Sequence, residues 1–170
     1  MNKYKKHSAV VAATVLSGVL FLSSVVLSHC EIPCGIYDDT MRINMMFEHI
    51  QTIEKSMRQI HELSEGNDKN YNQLTRWIIN KENHSDQLSD IVTQYFMKQR
   101  IAPVETGGGK AYDAYIKQLT LLHKLMVYSM KCKQTAELDN VTKLRETLTQ
   151  FKAEYPGVKE SSITEHKHSH

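Results

Sequence analysis

Four stretches of this chain carry apolar residues at alternating steps of three and four, and that spacing fixes the fold class. The first holds Ile43, Met46, Phe47, Ile50, Ile53, Met57 and Ile60 along one helix face. It runs into Ser64-Glu65-Gly66-Asn67, where Gly and Asn favour a helix stop. The second extends from about Asn70 to Arg100 and carries Leu74, Ile78, Leu88, Ile91, Val92, Tyr95 and Phe96. Its stripe is interrupted at Lys81-Glu82-Asn83-His84, a polar patch that reads as a solvated stretch or as a site facing a partner. Pro103 and Gly107-Gly108-Gly109 mark a loop. A third helix is expected from about Ala111 to Lys133, with Tyr115, Leu119, Leu122 and Met126 on one face. The fourth places Leu138, Val141, Leu144, Leu148, Phe151 and Tyr155 on its stripe and stops at Pro156-Gly157. No stretch alternates with period two for long. The expectation is an all-α fold, an antiparallel four-helix bundle.

The first 28 residues are of another kind. Lys3, Lys5 and Lys6 make a basic start, Ala9 to Ser28 carries no charged side chain, and Val26 and Ser28 are small or compact residues before His29. That pattern describes an export signal cut by signal peptidase between Ser28 and His29. An uncleaved anchor is the other reading, because the apolar run is long enough to span a bilayer. A lipid anchor on Cys30 is disfavoured by His29, which stands where a small residue is normally required. Cleavage would remove three of the 21 basic residues and none of the 19 acidic ones, turning a net charge of +2 into −1. The basic balance belongs to the leader, and no nucleic-acid surface is implied. The mature form is expected off the membrane, in a periplasm, an extracellular space or an organelle lumen. Three parts follow: a leader over 1–28, a domain over 29–158, and a polar tail over 159–170 containing His166, His168 and His170. The tail reads as solvated, or as a weak site for a divalent metal.

The new N-terminus would read His29-Cys30-Glu31-Ile32-Pro33-Cys34-Gly35-Ile36-Tyr37. Once Ser28–His29 is cut, His29 offers its free amine and its imidazole to one metal. Cys30 adds a thiolate and, after deprotonation, its backbone nitrogen; Cys34 adds a second thiolate. Pro33 fixes φ before Cys34, and Gly35 permits a turn that a side chain would hinder. Two thiolates and two nitrogens in one plane suit a d⁸ nickel ion, whereas zinc prefers a tetrahedron. Thiolate donors bring a nickel III/II couple into reach. The spacing alone does not choose nickel: a zinc or copper hook, or a small Cys30–Cys34 disulfide, also fits it. A disulfide leaves His29, Pro33, Gly35 and Tyr37 without a reason. Haem attachment and thioredoxin chemistry are excluded by the absence of Cys-x-x-Cys.

The hook resembles the nickel superoxide dismutase family, whose processed N-terminus reads His-Cys-x-x-Pro-Cys-Gly-x-Tyr, and every fixed position is present here. Glu48 to Met57 resembles the family's first helix, and Thr93-Gln94-Tyr95-Phe96 a Tyr-Phe pair ending its second. The resemblance implies a homo-oligomer of four-helix subunits, a hexamer, with each hook seated among neighbours. It implies nickel held by the His29 amine and imidazole, the Cys30 amide and thiolate, and the Cys34 thiolate. The implied reaction takes two superoxide ions and two protons to dioxygen and hydrogen peroxide by Ni(III)/Ni(II) cycling. Tyr37 matches the tyrosine that screens the metal, and Tyr95 a second, supporting one. In the family a carboxylate and an arginine steady the axial imidazole. Here His84 falls at the arginine's place, Met45 and Met46 fall near the acid's, and Glu48 is the nearest carboxylate.

Plainer roles stand beside these. Tyr95 also reads as a core aromatic, His84 as a solvated or interface histidine, and Cys132 as a buried free thiol. The competing function is an exported nickel-binding or storage protein without turnover.

Overall fold

The structure is a computed structural model that describes residues 38–65, 69–105 and 107–157. Among these residues there are four α-helices, one π-helical segment and no strand. Helix α1 spans Asp39–Glu65, α2 spans Tyr71–Asp90, α3 spans Lys110–Gln134 and α4 spans Leu138–Glu154. The all-helical class expected from the stripes is what the described residues adopt. No helix among the described residues is long and apolar enough to cross a membrane.

The stripes become the core. Ile43, Met46, Ile50, Ile53 and Met57 of α1 are fully buried, as are Leu122 and Leu125 of α3 and Leu144, Leu148 and Phe151 of α4. Side-chain bonds between helices show how these faces are set against one another. Asn80 of α2 donates to Ser56 of α1 at 3.0 Å, while His84, further along α2, meets His49, earlier on α1, at 2.8 Å. Arg145 of α4 reaches Glu54 of α1 at 2.7 Å, and Lys117 of α3 reaches Glu154 of α4 at 2.6 Å. Near one end His61 of α1 donates to the Ala136 carbonyl just before α4, at 2.8 Å. At the other, Asp39 of α1 meets Tyr155 just after α4.

Helix ends follow local chemistry. Asp38 accepts from the Thr40 amide at 2.8 Å, and Asn70 accepts from the Gln73 amide at 3.1 Å. Before α3 the chain turns through Gly108 and Gly109, at φ of 72° and 101°, a region that only glycine enters without strain.

Two features depart from the sequence reading. The second stripe is not one α-helix: from Ile91 to Arg100 it rewinds as a π-helix, closed by the Ile101 amide on the Phe96 carbonyl. The polar interruption at Lys81-Glu82-Asn83-His84 is only partly solvated: Asn83 is exposed, but Lys81 is not. Lys81 is 4% exposed, and its ammonium donates to the Lys133 and Thr135 carbonyls at 2.7 and 2.9 Å. Those are orphan carbonyls at the end of α3, so a buried cation caps a neighbouring helix.

Candidate metal centre

The residues assigned to the hook, His29, Cys30, Cys34 and Tyr37, lie outside the described residues. What is described is the frame from which the hook departs, beginning at Asp38, together with Tyr95, Glu48 and His84.

Tyr95 is buried, with its hydroxyl donating to Asp39 of α1. The same carboxylate accepts from Tyr155 at 2.9 Å and from Arg100 at 2.7 Å. The π-helical winding makes this convergence possible. Hydrogen bonds five residues apart bring Tyr95 and Arg100 nearly above one another, whereas α-winding at 3.6 residues per turn would splay them apart. Burial by itself would raise the Asp39 pKa, but the bonds from Arg100, Tyr95 and Tyr155 outweigh it and hold the carboxyl below its usual value. Tyr95 moves the other way. Burial, then the Asp39 hydrogen bond, push its phenol up to about 12, so it stays protonated and donates. Beneath the node Phe96 packs edge-on against Phe151 at 5.0 Å and Tyr155 at 5.4 Å, fixing the rings that carry the hydroxyls.

His84 is half-buried on α2, and its Nδ1 lies 2.8 Å from Nδ1 of His49 on α1. One ring donates and the other accepts. Burial, then the neighbouring His84, lower the His49 pKa. Glu48 is exposed, and its charge acts on His49, in the direction of raising that pKa. The structure thus brings His84 together with His49, and Tyr95 together with Asp39.

Asp39, Arg100, Tyr155 and His49 were not singled out from the sequence. The signal for Asp39 was the Asp38-Asp39 pair at a helix start, where one acid suffices for capping. For His49 no local signal exists, because its partner lies 35 residues away.

Among the described residues no group of three or more His, Cys, Asp or Glu is placed to hold a metal. Cys132 is free and fully buried, and burial pushes its thiol up to about 12, which keeps it from serving as a thiolate ligand at neutral pH. The imidazole and thiol groups expected from the sequence to hold nickel, those of His29, Cys30 and Cys34, lie outside the described residues.

No curated protein and no solved structure matches the chain. A family model described as nickel-containing superoxide dismutase matches residues 24–159, a range that takes in residues 29–37, the four helices and the Asp39 node. With most of its length matched, the chain belongs to the nickel-containing superoxide dismutase family, an enzyme whose cofactor is nickel.

Proposed function

We propose that this enzyme converts two superoxide ions and two protons to dioxygen and hydrogen peroxide through a hook freed by signal peptidase at Ser28–His29. The His29 amine and imidazole, the Cys30 amide and thiolate, and the Cys34 thiolate would hold the metal. Nickel, when bound, supplies a one-electron Ni(III)/Ni(II) couple. The remaining work belongs to the chain. Tyr37 screens the site and limits access, and Tyr95 supports the hook's base through Asp39. His84 would steady the His29 imidazole in place of an arginine. Its Nδ1 is taken by His49, which leaves Nε2 for a partner beyond the described residues. Glu48, exposed beside His49, contributes charge to that pair. The subunit is an antiparallel four-helix bundle that assembles as a homo-oligomer, a hexamer, with no nucleic acid and no membrane attachment in the mature form. Export delivers it to a periplasm, an extracellular space or an organelle lumen.

One observation carries the reading: within the matched stretch, six consecutive residues from His29 to Cys34 hold a complete N,S donor set for a planar d⁸ ion. The test uses the purified mature protein. Expected are a rhombic Ni(III) signal in electron paramagnetic resonance and dismutase activity, both lost in Cys30→Ser and in Cys34→Ser. Bound nickel that stays Ni(II), with no turnover, would assign the chain to nickel binding or storage instead.

A further inference from the structure

Asp39 is the first residue of α1, a place where an acid normally faces solvent or caps its own helix. Here Asp38 makes the local bond, to the Thr40 amide, and Asp39 is left for another task. Its side chain is 6% exposed and accepts from three donors on two distant parts of the chain: Tyr95 and Arg100 of the π-helical segment, and Tyr155 beyond α4. Gly157 closes the node. A Cβ there would lie 2.5 Å from the Tyr155 ring and 2.6 Å from an Asp39 oxygen, so the C-terminal turn is packed directly onto the carboxylate.

We infer that Asp39 is a positioning residue for the hook, the fixed point from which the nickel-holding segment extends; this rests on the hook reading above. Cys34 lies five residues before Asp39, so an anchored Asp39 keeps the second thiolate within about 17 Å of the node. If the first turn of α1 came loose, the next fully buried residue of that helix would be Ile43. The tether would then be nine residues long and reach about 30 Å. All the metal donors lie upstream of the node, between His29 and Cys34. Losing the node therefore leaves nickel binding in place and widens the range over which the donors can wander from the bundle.

The test compares the mature wild-type enzyme with Asp39→Ala, Asp39→Asn and Arg100→Gln. Arg100 is partly exposed, so its variant opens no cavity in the core. Leu125→Ala, a core change outside the node, controls for loss of stability. Each protein is measured for nickel per chain, helix content, width of the rhombic Ni(III) signal, and kcat/KM for superoxide. In Asp39→Ala, nickel per chain is expected to hold, the signal to broaden or split, and kcat/KM to fall about ten- to a hundredfold. Asp39→Asn and Arg100→Gln are expected to move the same way by less, and Leu125→Ala to keep the wild-type signal. If Asp39→Ala does not fold, the other two node variants decide. Wild-type linewidth and kcat/KM in folded node variants would overturn the proposal. A wild-type enzyme without nickel or without the rhombic signal would instead overturn the hook reading on which it stands.

Discussion

Nδ1 of His49 and Nδ1 of His84 lie 2.8 Å apart across the contact of α1 with α2, so one ring donates and the other accepts. Burial and then His84 depress the His49 pKa, so His49 binds a proton less readily in the folded chain than in the unfolded one. The contribution to stability is complete above the unfolded value of about 6.5 and is lost as pH falls below it, until folded His49 also protonates. Urea midpoints measured at about pH 7.5 and about pH 5.5 should therefore fall on acidification in the wild type, and fall less in His49→Gln. Equal slopes in the two proteins would show that the pair does not carry this dependence.

The Asp39 node makes an opposite kind of demand, since it needs its charge. Asp39 is held below its ordinary value despite burial, so its stabilisation is present above about pH 3.9 and is lost as pH falls through the lower, folded value. Asp39→Asn should therefore lie well below wild type in urea stability near neutrality, with the gap closing in acid. Tyr95→Phe and Tyr155→Phe each remove one donor and leave the carboxylate two others. Each is expected to cost about 1 kcal/mol in urea unfolding. A gap for Asp39→Asn that widens as pH falls would contradict this account.

These two contacts show what a sequence carries and what it does not. The buried faces of α1 and α4 were legible because burial along a helix repeats every 3.6 residues, and Ile43 to Met57 and Val141 to Phe151 keep that period. The hook was legible for another reason: its donors are neighbours in the chain, so their chemistry needs no fold to be recognised. Asp39 gave no such sign. An acid at a helix start is ordinary, and only the meeting with Tyr155, 116 residues on, makes it a node. The π-winding was hidden too, because Ile91, Val92, Tyr95 and Phe96 suit one face of either helix. The burial of Lys81 was hidden for the same reason, since the carbonyls that accept from it lie more than fifty residues away.

Lys81 yields a prediction of its own. Its ammonium satisfies two carbonyls at the end of α3, and burial lowers its pKa. Lys81→Met keeps the stem's packing and removes the donors. It should cost about 1–3 kcal/mol in urea unfolding, because buried acceptors are left without partners. High salt should barely change that loss. It should weaken the exposed Lys143–Asp139 pair on α4, whose charges are screened. A Lys81→Met protein as stable as wild type would mean that water replaces the ammonium at both carbonyls.

The three cysteines should separate cleanly by chemistry. Cys132 is fully buried and its thiol is pushed up to about 12, so in the folded protein it should resist alkylation at neutral pH. Cys132→Ser should keep nickel per chain and dismutase activity unchanged. The opposite is expected of the amine at the other end of the chain. One glycine inserted before His29 moves the new amine about 3.5 Å along the backbone and turns the His29 nitrogen into an amide. Activity and the rhombic signal should then fall sharply, although both thiolates and the imidazole are intact. Full activity in that variant would show that the amine is not a ligand, and that the hook's power does not depend on where the leader is cut.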